Sequence, residues 1–203
     1  MVSLVDDMLR DHPGKPVLVL SNKADAAGLE KAEARGVPTA VVDHRAFRND
    51  RESFEAALSE KLEEVQAEII CLAGFMRVLT PYFVNRWAGK ILNIHPSLLP
   101  KYPGLDTHAR AIEAGDEWAG CSVHIVTEIL DGGPILGQAR VPILNGDTPE
   151  RLAERVLPME HQLYPRVLRA FAAGDKDPVI LSMSSESPIN AERADKGTPP
   201  RLC

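Results

Sequence analysis

The sequence predicts an α/β fold, a doubly wound and mostly parallel sheet with an antiparallel strand pair appended to it. Three observations carry that expectation. Short apolar and β-branched runs alternate with stretches of helical periodicity, as successive βαβ units require. The run Ile91-Leu92-Asn93-Ile94-His95 stops on an amide and an imidazole, and Pro96, Pro100, Pro103 and Gly104 then forbid a regular helix. Two longer strand-like runs, 121–130 and 134–142, meet through Asp131-Gly132-Gly133, the composition of a tight reversal.

Taken in order, residues 15–21 read as a strand, 24–35 as a helix closed by Gly36, and 38–43 as a second strand. Residues 47–62 form an amphipathic helix, and 67–72 a third strand ending at Gly74. A short helix over 81–87 precedes the strand that carries Asn93, and 107–115 is a helix capped by Thr107 or Asp106. The last helix opens on Asp147-Thr148-Pro149-Glu150, a cap followed by proline at the first helical position, and runs to about Ala173. Pro158 and Pro165 are expected to interrupt it, with a kink freeing carbonyls beside Glu160. Beyond Gly174 the pattern decays into Ser, Pro and charge, so residues 1–181 are expected to form a single domain and 182–203 a loosely held tail.

Composition bounds the function. With 203 residues, 44% apolar and 26% charged, the chain has enough apolar material for one substantial core. A net charge of −6 with no basic block argues against nucleic-acid binding. No apolar run reaches the ~18 residues of a membrane span, and no signal-peptide pattern is present, so a cytoplasmic protein is expected. Cys71, Cys121 and Cys203 are too few and too scattered for a disulfide framework or a zinc site. The histidines show no i, i+4 pairing, and no metal requirement is expected.

The chemistry concentrates at the end of the Asn93 strand. Residues two apart on a strand share a face, so Asn93 and His95 project together from the carboxyl end, where open α/β sheets place their ligands. A carboxylate from Asp131 near His95 would favour the imidazolium, and Asn93 adds a neutral donor for a developing oxyanion. Amide, imidazole and carboxylate without an evident nucleophile suit transfer of an acyl or formyl group to an amine. A nucleophile pair from Cys121 and His124 is disfavoured, because positions i and i+3 of a strand face opposite sides. Gly120-Cys121-Ser122-Val123-His124 lacks the closing glycine of a serine-hydrolase elbow. His124 lies seven positions before Asp131, on the other face of a regular strand, and is only a weak site candidate unless a bulge intervenes.

At these residues the chain resembles the folate-dependent glycinamide ribonucleotide formyltransferase family. The matching motifs are Asn93-Ile94-His95-Pro96-Ser97-Leu98-Leu99-Pro100 and Asp131-Gly132-Gly133, with further similarity at Ser21-Asn22-Lys23-Ala24-Asp25-Ala26, Leu72-Ala73-Gly74-Phe75-Met76-Arg77, Tyr102-Pro103-Gly104-Leu105-Asp106-Thr107-His108 and Glu160-His161-Gln162-Leu163-Tyr164-Pro165. The similarity covers roughly residues 1–173. It implies a Rossmann-like formyltransferase fold in which Asn93, His95 and Asp131 are catalytic. It further implies that Arg51, Met76, Arg77, Val78, Leu79, Thr127, Glu128, Ile129, Leu130 and Asp131 border the folate, while Leu157, Pro158, Met159 and Glu160 touch the ribonucleotide. The substrates so implied are 10-formyltetrahydrofolate, as formyl-donor cosubstrate, and glycinamide ribonucleotide, in purine biosynthesis, with a monomer or homodimer as the assembly. A formyltetrahydrofolate hydrolase and a noncatalytic nucleotide- or folate-binding module are the alternatives; a methionyl-tRNA formyltransferase would need a further basic domain. Family members open with a short apolar strand and a glycine-rich turn that holds the substrate phosphate. Here Met1 leads directly into Val2-Ser3-Leu4-Val5-Asp6-Asp7-Met8-Leu9, which resembles the helix just after that turn. Met1 is therefore expected to be an internal methionine of a natural protein longer by about a dozen residues, a strand plus its turn.

Overall fold

The computed structural model describes residues 1–184 and 187–191. The chain opens with α1 (Val2–Met8), β1 (Val19–Ser21), α2 (Ala27–Glu33) and β2 (Thr39–Val41). A 3₁₀ turn at His44–Phe47 leads to α3 (Arg51–Glu64), β3 (Ile70–Leu72), α4 (Pro81–Arg86) and β4 (Ile91–His95). Next come α5 (Thr107–Glu113), β5 (Trp118–Ile125), β6 (Ile135–Pro142), α6 (Pro149–Ala172), β7 (Val179–Ser184) and β8 (Ser187–Ala191).

The α/β class and the mixture of parallel and antiparallel pairing are as the sequence predicts, with two corrections. Among the described residues the parallel strands do not form one sheet: β1 pairs with β2 alone, and β3 to β8 form a separate six-stranded sheet in chain order. The antiparallel pair is not appended at an edge. β5 lies antiparallel to both β4 and β6, and β6 then takes β7 in parallel, so the pair sits inside the sheet. Ser182 pairs with Arg140 through β7, which moves the start of the expected tail inside a strand. Residues 185, 186 and 192–203 of that tail lie outside the described residues.

Helix starts follow their caps. The Asp50 side chain accepts from Ser53 N at 3.0 Å, so α3 begins after it, and the 47–50 stretch expected in that helix turns separately. Thr148 accepts from Arg151 N, with Pro149 at the first helical position. Across Pro158 and Pro165 the helix continues unbroken to Ala172, because its Leu152, Val156, Met159, Leu163 and Val167 face is fully sealed against the large sheet. That burial outweighs the cost of the two interior prolines, about 3 kcal/mol each from the lost hydrogen bond and the ring's clash with the preceding turn. Among the described residues no helix is long and apolar enough to cross a membrane.

Candidate active site

The end of β4 and the C-terminal half of β5 form the floor of the site. In the antiparallel register Asn93 faces His124 and His95 faces Ser122. Residues directly opposite each other in such a pair share a face, so Asn93, His95, His124 and Ser122 all project to one side of the sheet. His124 thus belongs to the site, and the expectation that it lies on the wrong face is corrected. The strand does not run to residue 130 but stops at Ile125. Asp131 sits on a loop that folds back, so strand parity between 124 and 131 has no meaning.

That loop is closed at its base by Ile125 N donating to Pro134 O at 2.9 Å, and it turns through Asp131 at φ 51°. Asp131 is the hub. Its Oδ2 accepts from Gly104 N at 2.8 Å and lies 3.4 Å from His95 Nδ1, while Oδ1 lies 3.5 Å from His124 Nε2. The carboxylate and both imidazoles are nearly sealed from solvent, with side chains 8%, 7% and 3% exposed. Low polarisability around the three strengthens each charge interaction.

The two histidines meet different partners. His95 Nε2 faces Tyr102 O at 2.9 Å and its Nδ1 faces Asp131, so both ring nitrogens meet acceptors. His124 places Nδ1 against Ile125 O at 3.1 Å and Nε2 against Asn93 Nδ2 at 3.3 Å. The first contact makes Nδ1–H the donor, leaving Nε2 to accept from the amide, which describes a neutral ring. Burial, the largest influence, pushes the His124 imidazole below its ordinary pKa, against the Ile125 carbonyl and Asp131, in agreement with that neutral form. Asn93 is thereby oriented, with one amide hydrogen anchored on His124 and the other available to a substrate oxygen.

Neither hydroxyl nor thiol in the neighbourhood is equipped to attack. Ser122 Oγ donates to Ser97 O at 2.7 Å and accepts from Leu99 N at 3.0 Å and Gln138 Nε2 at 2.8 Å, so its bonding capacity is filled. Cys121 is fully buried, and desolvation pushes its thiol well above the ordinary value, a setting that keeps it protonated and inert. Ser122 and Gln138 instead brace the proline-rich loop after β4, a role the sequence did not disclose. Ser122→Ala should orphan Leu99 N–H and one Gln138 amide hydrogen, the other staying on Leu99 O, and lower stability by about 1–3 kcal/mol. Urea unfolding checks this; a loss below about 0.5 kcal/mol would show that the brace is dispensable.

The remaining expected site residues separate into groups. Met76 and Val78 are 81% and 61% exposed, and Arg51, at the first position of α3, bonds the Val78 carbonyl. Arg77 lies over the Phe54 ring at 5.6 Å, and Leu79 packs on the core beneath β3. Thr127 Oγ1 donates to Ile129 O, Glu128 accepts from Asn85 Nδ2 at 2.8 Å, and Ile129 and Leu130 stand 71% and 57% exposed. Leu157 and Pro158 are exposed on α6 and Glu160 is half-buried, but Met159 is sealed in the core. At 3.6 residues per turn its side chain points to the sheet while its neighbours point out, so Met159 is corrected to a packing residue. His108, without a sequence-level role, has a buried Nε2 that makes no hydrogen bond, and burial, then His95, pushes its pKa down. Among the described residues no group of three or more His, Cys, Asp or Glu is arranged to hold a metal.

Residues 3–168 match the formyl transferase family model. The chain is 50% identical over 156 residues to the phosphoribosylglycinamide formyltransferase of Escherichia coli, covering 77% of this chain and 73% of the relative. It is 49% identical over 158 residues to the trifunctional purine biosynthetic protein adenosine-3 of Bos taurus, covering 78% of this chain but only 16% of that much longer relative. The crystal structure of phosphoribosylglycinamide formyltransferase from Brucella melitensis superposes with a TM-score of 0.80 at 51% identity, over 86% of this chain and 90% of that one.

Proposed function

This chain belongs to the formyl transferase family, and from that premise we propose that it transfers the formyl group of 10-formyltetrahydrofolate to the amine of glycinamide ribonucleotide in purine biosynthesis. The observation that carries the reading is the shared Asp131 carboxylate between His95 and His124, beside an Asn93 amide already oriented by His124. With Ser122 saturated and Cys121 inert, the attacking electron pair must come from the substrate amine. The amine nitrogen adds to the formyl carbon, the carbonyl oxygen becomes an oxyanion, and the bond from that carbon to the folate nitrogen then breaks. The proton lost by the amine moves to the departing nitrogen, with Asp131 and His95 as the relay. Asn93 and His95 donate to the oxyanion. Since His95 Nε2 is engaged by the Tyr102 carbonyl, an oxyanion reaching that nitrogen takes the place of this carbonyl, and the Tyr102–Gly104 loop yields.

The exposed apolar side chains of Met76, Val78, Ile129 and Leu130 suit the flat face of a pterin, with the Arg51 guanidinium for the glutamate tail. Glu160 is assigned to the ribonucleotide end, where a half-buried carboxylate can hold an ammonium or amine. Both substrates are small and water-soluble, and a cytoplasmic monomer or homodimer serves the reading. Incubation of the protein with both substrates should yield formylated ribonucleotide and tetrahydrofolate in equal amounts by mass spectrometry. Consumption of the formyl donor without the amine, releasing formate, would assign a hydrolase instead.

Glu160 also supplies a pH-dependent prediction. Burial raises its carboxyl above the ordinary 4.5, so the folded state binds this proton more tightly than the unfolded one. The resulting stability is present below 4.5 and lost as pH rises through the folded value. Glu160→Gln should therefore gain stability relative to the parent as pH rises from about 4 to 7, while KM for the ribonucleotide rises more than kcat falls. Chemical denaturation at several pH values reads the first effect. A stability difference that stays flat with pH would show that burial does not shift this carboxyl, and an unchanged KM would remove Glu160 from the ribonucleotide end.

A further inference from the structure

Three side chains on one face of α3 hold the loop between β3 and α4. Arg51, Phe54 and Glu55 stand at positions i, i+3 and i+4, which share a side of a helix. The Arg51 guanidinium donates to Val78 O, and the Phe54 ring carries the Arg77 guanidinium 5.6 Å from its centroid. Glu55 takes the third place. Its Oε1 accepts from Thr80 N at 2.9 Å, and its Oε2 accepts from the Thr80 hydroxyl. With Met76 and Val78 exposed, the loop buries little of its own and depends on these ties for its position.

Glu55 is the least expected of the three. A carboxyl group only 2% exposed has lost its hydration, and among the described residues no cation is paired with it. Both of its oxygens meet one residue. Thr80 in turn stands at the N-cap of α4, yet its hydroxyl makes no capping bond and is turned to Glu55 instead. Each feature is unfavourable by itself, and together they fix the point where the loop enters α4.

α4 carries that position across the site. Phe83 and Trp87 pack with Phe54 and Leu58 of α3, and Trp87 Nε1 donates to Ser59 Oγ at 3.1 Å, so the two helices form one body. Five residues after Thr80, about 7.5 Å along the helix, Asn85 Nδ2 donates to Glu128 Oε1 at 2.8 Å. Glu128 belongs to the loop that follows β5. α4 is thus a strut between the two loops assigned above to the folate, pinned by Glu55 at one end and tied by Asn85 at the other.

We propose that Glu55 is a positioning residue for the formyl donor: through Thr80 and α4 it sets the separation of the 73–80 and 126–134 loops, and so the fit of the folate between them. This role rests on the formyl-transfer reading above. It predicts weaker donor binding with the chemistry at Asn93, His95 and Asp131 intact.

Calorimetric titration with 10-formyltetrahydrofolate, beside steady-state kinetics with each substrate varied at saturation of the other, tests the role on the full 203-residue chain. Glu55→Ala should raise Kd and KM for the donor about tenfold, while kcat and KM for glycinamide ribonucleotide stay within about twofold. Lost stability alone would lower the active fraction, and hence the rate, and leave KM where it was. Glu55→Gln should recover most of the affinity, because its amide oxygen accepts from Thr80 N and its amide hydrogens meet a Thr80 hydroxyl turned to accept. Should the alanine variant not fold, Thr80→Val, which keeps the N–H and removes only the hydroxyl, should raise the same constants about threefold. Donor constants unchanged in Glu55→Ala, or in Thr80→Val in its place, would overturn the role. Equal rises in both KM values, or a glutamine variant no better than alanine, would do the same. A parent that binds the donor without passing on its formyl group would overturn the activity alone, and the Kd comparison would still decide the role; a parent that does not bind it would overturn both.

Discussion

Asp131→Ala should lower turnover by about a hundredfold to ten-thousandfold while the protein stays folded. One substitution removes three functions: the acceptor for His95 Nδ1, the charge facing His124, and the anchor of Gly104 N. Without the carboxylate, His95 Nδ1 loses its acceptor, and the ring is no longer oriented as a donor to the oxyanion. Asp131→Asn should recover the Gly104 contact but not the charge, and it should stay within about tenfold of the alanine variant. His95→Ala should match Asp131→Ala, and the double variant should be scarcely worse than either, because the two groups act as a unit. Steady-state rates with saturating folate and ribonucleotide, beside circular dichroism of each variant, decide the matter. Turnover within threefold of the parent in Asp131→Ala would end the proton-relay assignment.

Gly133→Ala should damage both fold and activity through one added methyl. A Cβ on Gly133 would lie 1.9 Å from Ile125 O, a backbone atom at the base of the loop that carries Asp131. Relief requires the 126–134 loop to move away from the end of β5, opening the Ile125 N to Pro134 O bond and displacing the carboxylate from both histidines. A loss of about 2–4 kcal/mol in stability is expected, with turnover reduced tenfold or more in the fraction that folds. Gly146→Ala is the informative comparison. Gly146 has a positive φ of 79°, a left-handed backbone that Gly133 does not share, and nothing stands within 4 Å of its Cβ position, so only backbone strain of about 1 kcal/mol applies and activity should be untouched. A loss at Gly133→Ala no larger than that at Gly146→Ala would mean that the clash with Ile125 O does not govern the loop.

Much of the site could be read from local pattern. The two-residue spacing of Asn93 and His95 at the end of an apolar run placed both on one face, and the structure keeps them there. The formyltransferase motifs led to a family that the comparisons bear out. His124 was misjudged for a specific reason: counting along the chain assumed that the strand continued to Asp131, whereas its position depends on pairing with Asn93 across the sheet. The family resemblance grouped Met159 with Leu157 and Glu160 at the ribonucleotide, yet the helix turns about 100° per residue and puts Met159 against the sheet.

By itself the sequence determined the α/β class, the amide–imidazole pair at a strand's carboxyl end and the acid held in a glycine turn. All of these depend on residues within a few positions of one another, where periodicity and turn chemistry act directly. Only the tertiary structure decided that Asp131 lies between two histidines, that Ser122 and Gln138 brace the proline loop, and that β1 and β3 border one cavity. Those contacts join segments far apart in the chain, and they exist only once strand register and loop reversal bring the partners within hydrogen-bonding range, which no local pattern encodes.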